Sequence, residues 1–270
     1  MKRFAAILLA LICLAGSASA ADTSEIRGYL KGEDYQYILL GSYPYEEDGT
    51  VAPLLWRFLW RDGDTTLLFT EYIIDVHQVM EVDNYKDMKN HKFARNLEFS
   101  QTDLYTWLNG EMSETIFAEQ DFSAAIIPPE DGGLFTILHN TELRNKDYGF
   151  PNTTYGTTIE QPGEKAIALA KNRMGYATPY AKAHVLYDDW EKQNRKSLYV
   201  ASYGASAYWT RQMRSEYTGI VGANGHLSWA GCGDVQKGVR PAVWLDVSKI
   251  QLTGGSGTLD DPWTAEVIAE

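Results

Sequence analysis

Residues 206–246 read SAYWTRQMRSEYTGIVGANGHLSWAGCGDVQKGVRPAVWLD. Two segments of this stretch, Ala207–Met213 and Val239–Val247, contain the aromatic and β-branched residues that are typical of strands. The residues between them are rich in glycine, which favours turns. Short strands joined by glycine turns indicate an antiparallel arrangement. The fold prediction is based on these two strands.

Each of the two strand-like segments carries one tryptophan and one arginine. Trp209 and Arg211 are two residues apart, and Arg240 and Trp244 are four apart. Because side chains alternate along a strand, the members of each pair share a face, and neighbouring strands would place all four in one layer. Such a layer could bind sugars or carboxylates. Alternatively, the arginines stack on aromatic rings and donate to loop carbonyls, which would stabilise the core.

The glycine-rich segment Gly222–Lys237 is predicted to be a loop that contacts a ligand. It contains His226, Trp229 and Asp234, which are side chains able to donate, stack and accept. The predicted ligand-binding residues are therefore Trp209, Arg211, His226, Trp229, Asp234 and Arg240.

The sequence contains none of the common signatures of catalysis or cofactor binding. It has no His-Glu-x-x-His, no phosphate-binding Walker loop and no Gly-x-Ser-x-Gly elbow. Its five histidines do not share metal-ligand spacing. A pair of catalytic carboxylates could be nominated among 36 acidic residues, but this choice has no specificity. We therefore expect no cofactor and no metal, and the catalytic residues, if any, are unknown.

The first twenty residues have the pattern of a secretory signal peptide. Lys2 and Arg3 precede an apolar run, and Ala18-Ser19-Ala20 forms a small-residue cleavage site. The apolar run is too short to span a bilayer. We expect an exported protein, periplasmic or extracellular, without a membrane span after signal cleavage.

Charge and cysteine content restrict the classes of partner. Beyond the signal peptide the chain has 22 basic and 36 acidic residues, which is a formal charge of −14. Nucleic acid and anionic membranes are poor partners for such a chain. Cys232 is the only remaining cysteine, so stability must come from ordinary burial. The 8 Trp and 17 Tyr exceed what a core requires and are typical of recognition surfaces.

The rest of the chain predicts strands and a few helices. Leu54–Arg61 and Thr65–Ile74 flank Asp62-Gly63, which predicts a β-hairpin. Ser100–Asp103 resembles a capping box ahead of a helix that ends at Asn109. Glu164–Met174 is the clearest helix of the sequence, with acidic residues first and Gly175 after it. Alternation in the first hairpin strand places three aromatic residues on one face: Trp56, Phe58 and Trp60.

These elements predict the α+β class. The predicted organisation is a signal peptide at 1–20, an N-terminal linker at 21–34, a single α+β domain at 35–250 and a C-terminal linker with an edge strand at 251–270.

Several short motifs follow one another along the chain. The two most specific are Tyr208–Arg211 (YWTR) and Gly238–Leu245 (GVRPAVWL). The others are LGSYP at 40–44, Trp56-Arg57, LYTWLN at 104–109, ATPYA at 177–181 and Asp261-Pro262-Trp263 near the end. In this order, the motifs resemble those of a bacterial family known as a domain of unknown function, number 6273.

The resemblance implies a compact fold similar to C-type-lectin-like domains and to formylglycine-generating enzymes. It does not imply the formylglycine-generating activity, which needs two reactive cysteines. The calcium motifs of lectins are also missing. Gln212-Met213 stands where the family has Ser-Pro, so the shape of that turn can differ here.

Three functions remain open from the sequence. The favoured interpretation is an exported binding or interaction module for a glycan or peptide. The alternatives are a hydrolase acting on envelope polymers and a structural accessory domain with no small ligand. The sequence does not indicate an oligomeric state.

Overall fold

The computed structural model describes residues 22–81, 97–152, 172–187, 195–215 and 217–268. Strand residues outnumber helical ones, and the sheets are mixed, which fits an α+β or mostly-β class. Sixteen strands occur in these residues: β1 (Tyr37–Pro44), β2 (Val51–Asp62), β3 (Thr65–Thr70), β4 (Asp75–Val76), β5 (Thr136–Ile137), β6 (Gly175–Tyr176), β7 (Val185–Tyr187), β8 (Arg195–Ser197), β9 (Ala205–Ser206), β10 (Tyr208–Arg214), β11 (Tyr217–Val221), β12 (Leu227–Gly231), β13 (Gly238–Val239), β14 (Pro241–Asp246), β15 (Ile250–Gly254) and β16 (Trp263–Val267).

The strands form two principal sheets. A seven-stranded sheet has the order β15-β16-β1-β2-β3-β14-β5, and a five-stranded sheet has the order β12-β11-β10-β13-β4. Two small ribbons, β6-β9 and β7-β8, complete the pairing among the described residues.

The hairpin predicted at Asp62-Gly63 is confirmed. β2 and β3 pair antiparallel with Asp62 opposite Thr65, and Gly63 has a φ of +57°, which glycine adopts without strain. Trp60 does not share a face with Trp56 and Phe58 as predicted, because a bulge shifts the register between Phe58 and Trp60. Trp56 and Phe58 are fully buried in one core cluster, whereas Trp60 packs against the other. A bulge adds one residue and so reverses the faces beyond it.

The predicted strand Val239–Val247 is two strands. β13 pairs with β10 and β4 in the five-stranded sheet, while β14 pairs with β3 and β5 in the seven-stranded sheet. Arg240 is the single residue between β13 and β14, so the chain changes sheet at this position. The sequence does not reveal this division, because both parts have strand composition.

Three α-helices occur in the described residues: α1 (Asp103–Asn109), α2 (Glu111–Phe117) and α3 (Pro179–Ala183). The predicted helix ending at Asn109 is confirmed, but its N-cap is Thr102, whose hydroxyl accepts from the Tyr105 N–H. The predicted helix Glu164–Met174 lies almost entirely outside the described residues.

Two clusters of buried apolar side chains form the core. One contains Trp56, Trp209 and Trp263, and the other contains Phe69, Tyr208 and further apolar residues. Tyr208 and Trp209 are neighbours on β10 and lie in different clusters, so β10 contributes to both.

Both predicted linkers belong to the folded domain. Ile26 in the N-terminal segment is only 2% exposed. At the other end, β16 lies between β15 and β1, parallel to β1, with Trp263 opposite Ile38. The Trp263 ring packs edge-on against Phe58 at 5.9 Å and is 1% exposed. The range 251–270, predicted as a linker with an edge strand, thus holds most of β15 at the edge of the sheet and β16 in its interior.

The predicted signal peptide lies outside the described residues. Within the described ranges, no helix is long and apolar enough to cross a membrane.

Candidate functional site

Arg240 lies in the core, between the two principal sheets. Its guanidinium carbon is 4.0 Å from the ring centroid of Phe69 and 5.0 Å from that of Tyr208. Nη2 donates to the carbonyls of Thr70, at 2.6 Å, and Glu71, at 2.9 Å. Burial lowers the pKa of Arg240 to about 10. Arg240, which was predicted to bind a ligand, has no exposed surface and lies in the core.

Trp209 is also fully buried. Its indole Nε1 donates to the carbonyl of His77 at 2.7 Å, and the ring belongs to the core cluster that contains Trp56. The predicted layer of two indoles and two guanidiniums does not form. Arg240 packs with Tyr208, on the opposite face of β10 from Trp209, and Trp244 packs edge-on against Trp60 at 5.6 Å. Trp209 and Arg240 therefore fit the alternative in which these side chains stabilise the core.

Arg211 has a different environment, because its side chain is 30% exposed. Nη1 and Nη2 donate to the two carboxylate oxygens of Glu142 at 2.5 and 2.8 Å, and Nη1 also donates to the Ile137 carbonyl at 2.8 Å. This bidentate arrangement fixes the guanidinium. Glu142 also accepts from the backbone N–H of His139 at 2.6 Å, so one carboxylate holds the Arg211 side chain and the His139 backbone.

Arg211 lines an open cleft of about 900 Å³. The cleft is lined by residues 97–100, 129–131, His139 and 211–215. The last stretch is the end of β10 and the residue after it, which places the cleft beside the five-stranded sheet. Its lining combines polar and apolar surface and contains charges of both signs, which suits the orientation of a polar ligand.

His139 lines the cleft as a neutral imidazole with a defined tautomer. Its Nδ1 lies 2.8 Å from the hydroxyl of Thr141, which can donate to it, and accepts from the backbone N–H of Thr141 at 3.2 Å, an arrangement that assigns the ring proton to Nε2. Burial, together with the positive charge of Arg211, lowers the pKa of His139. Nε2–H is therefore a hydrogen-bond donor that keeps this role at neutral pH.

The other three predicted residues do not line this cleft. Gly222–Lys237 is not a single loop, because β12 occupies its middle and pairs with β11. Trp229 lies on β12, and the guanidinium carbon of Arg214, a cleft residue, is 5.7 Å from its ring centroid. His226 is half-buried, and Asp234 accepts from Lys237 Nζ at 2.8 Å within its own turn. The structure thus brings Arg211 to the cleft and places Trp229 behind Arg214.

A second polar group was not predicted from the sequence. Asp75 is almost fully buried and accepts from the hydroxyl of Tyr43 at 2.5 Å and from the backbone N–H of Val76 at 2.7 Å. Its Oδ1 contacts Nδ1 of His184, whose side chain is 32% exposed. This contact with Asp75 raises the pKa of His184. Since 109 positions separate the two residues, their spacing carries no signal of this pair.

Among the described residues, no three His, Cys, Asp or Glu side chains lie close enough together to hold a metal ion. The sequence contains two pairs of adjacent aspartates, Asp188-Asp189 and Asp260-Asp261, which are typical of surface turns and could also contribute oxygens to a calcium site. Asp188-Asp189 lies outside the described residues, and Asp260-Asp261 is exposed near the start of β16.

Comparison with known proteins identifies a family. No curated protein and no solved structure matches the chain. A family model described as "Domain of unknown function (DUF6273)" matches residues 63–247, which include the cleft residues of β10 and both halves of the Asp75–His184 pair. The match covers more than half of the chain, and the chain belongs to the DUF6273 family.

Proposed function

We propose that this protein is an exported binding module whose ligand, a glycan or peptide, occupies the cleft beside β10. The observation that carries the proposal is the cleft itself, where Glu142 fixes the side chain of Arg211 and Thr141 holds the ring of His139. Side chains held by such bonds are preorganised, so binding loses little conformational entropy. The strand gives the cleft a rigid base, as expected of a recognition site.

The leader at residues 1–20 supports export, and the motif resemblance supports a bacterial source and a C-type-lectin-like fold. In that fold the YWTR and GVRPAVWL motifs would close the domain. Their positions on β10 and on β13–β14, in contact through Arg240 and Tyr208, are consistent with this role.

The proposal is tested by screening the purified protein against glycan and peptide libraries. We expect a ligand whose affinity falls about tenfold, or 1.4 kcal/mol, in Arg214→Gln, because Arg214 is an exposed cleft residue. Arg27→Gln is the matched control, since Arg27 is an exposed, ion-paired arginine outside the cleft. Absence of binding across both libraries, or equal loss in the two variants, would contradict the proposal.

A second candidate function, a hydrolase acting on envelope polymers, is favoured by the Tyr43–Asp75–His184 group. A buried carboxylate that holds one imidazole nitrogen, with the ring partly exposed, is an arrangement that serves general-base catalysis. Neutral His184 would accept a proton from water through Nε2 while the water oxygen bonds to a peptide carbonyl carbon. The C–N bond then breaks, and His184 returns the proton to the leaving amine.

Hydrolysis of peptidoglycan fragments tests this candidate. If it is correct, His184→Gln abolishes product release and His226→Gln does not. The rate should rise with pH through the raised pKa of His184, because only the neutral ring is a base. Equal activity of His184→Gln and the unmodified protein would exclude the role of His184.

A further inference from the structure

We infer that the ligand of the cleft is a peptide segment carrying both an acidic and a basic group, and that a neutral glycan is not its ligand. This inference rests on the proposed binding function and specifies its ligand. The argument depends on how the cleft distributes its charges, its hydrogen-bond donors and its aromatic surface.

The basic side of the cleft comes from the end of β10. Both Nη atoms of Arg211 are bonded to Glu142, so its charge is largely compensated within the protein. Arg214 is exposed and stacks beside Trp229 at 5.7 Å, which restricts where its guanidinium can lie. Its register partner is Tyr217 across the β10–β11 ladder, so its backbone is fixed. Arg214 is therefore the cleft cation that can pair with a ligand carboxylate.

The acidic side comes from two other segments. Glu98 lies just before α1, and Glu130 and Asp131 lie before β5; all three are exposed and line the same cleft. Oδ1 of Asp131 accepts from the Tyr105 hydroxyl at 3.1 Å, whereas Glu98 and Glu130 extend the acidic surface. A ligand with an ammonium or guanidinium group complements these carboxylates, and its own carboxylate complements Arg214.

The remaining lining suits a peptide backbone and apolar side chains. His139 offers its Nε2–H donor, which matches a peptide carbonyl. Met213 supplies adaptable apolar surface.

Sugar recognition commonly uses an exposed aromatic face, and the described lining lacks one. Phe99 is the only aromatic residue among the cleft-lining residues described, and it is only 7% exposed. The cleft therefore offers a neutral sugar ring little surface on which to stack.

The probes for the test are synthetic peptides of equal length with blocked ends. One set carries an acidic and a basic side chain separated by increasing numbers of glycines, a second set carries only acids, and a third carries only bases. A neutral chitin oligosaccharide is the fourth probe. Binding is measured by calorimetry at low and high salt.

We expect at least one mixed-charge peptide to bind about tenfold more tightly than either singly charged set, and to weaken at high salt. Arg214→Gln should remove the preference over the all-basic set. Glu98→Gln combined with Glu130→Gln should remove the preference over the all-acidic set. Arg27→Gln should change neither preference.

The outcomes separate the inference from the proposed function. If the oligosaccharide binds most tightly and Arg214→Gln weakens it, the cleft is a binding site but the inference is wrong. If mixed-charge peptides bind and the cleft variants have no effect, the site lies elsewhere, and both are wrong. Absence of binding by every probe also overturns the inference.

Discussion

Arg211 and Arg240 look equivalent in the sequence, since each lies near a tryptophan on a predicted strand, but their environments differ. Arg240 is fully buried, donates to backbone carbonyls and stacks on two aromatic rings. Arg211 lies at a cleft and pairs with Glu142. Which arginine is structural therefore depends on the groups around it, such as the Thr70 and Glu71 carbonyls. A buried guanidinium requires such partners, because an unpaired one costs several kcal/mol.

His184 gives a prediction about pH at the scale of one residue. Its pKa is raised by Asp75, so the folded state holds the proton more tightly than the unfolded chain. The resulting stabilisation is present below the ordinary histidine pKa of about 6.5 and is lost as pH rises through the raised value. The unfolding free energy lost in His184→Gln should therefore be larger at pH 6 than at pH 9, as measured by urea denaturation.

His226 is the matched control, because burial lowers its pKa. Its folded state releases the proton more readily, so its contribution is present above the ordinary pKa and is lost as pH falls. His226→Gln should therefore show the opposite pH trend. The same trend in both variants would mean that the Asp75 contact does not control the titration of His184.

At the scale of elements, Gly238 permits β13 to lie between β10 and β4. A Cβ at this position would overlap Cγ2 of Ile73. Gly238→Ala should therefore destabilise the protein by about 1–3 kcal/mol, as overpacking does. Thermal unfolding would measure the loss. Gly238→Ala should cost less stability in an Ile73→Ala background than in the unmodified protein, because the overlapping methyl group of Ile73 is gone.

Gly254→Ala is the control for the glycine change itself, since its Cβ would meet only Thr264 Oγ1, at 3.2 Å. A loss in Gly254→Ala as large as that in Gly238→Ala would argue against steric overlap with Ile73. The reduced flexibility of the unfolded chain would not explain such a loss, because on its own it stabilises the folded state.

At the scale of the whole molecule, the C-terminal strands are part of the core. Trp263→Ala should lower the unfolding free energy by about 3–5 kcal/mol, because it removes a buried indole and leaves a cavity beside Phe58. Leu259→Ala is the control, since Leu259 is 46% exposed in the preceding turn. Similar small effects of both changes in urea denaturation would instead support the original expectation of a linker.

Several features of the fold follow from the sequence because they depend on neighbours along the chain. The β2–β3 hairpin follows from Asp62-Gly63 between two apolar runs, and the end of α1 follows from Asn109-Gly110. The family also follows from local motifs, because the order of YWTR and GVRPAVWL is read directly from the sequence. Hydrophobic alternation and turn residues act over short distances and leave visible patterns.

The tertiary structure alone decided how distant segments meet. It divides residues 239–247 between two sheets at Arg240, places β16 inside a sheet, and joins Asp75 to His184. It also assembles the cleft from segments near residues 98, 130, 139 and 214. Contacts between residues more than a hundred positions apart depend on packing and burial summed over the entire chain, so no local pattern records them.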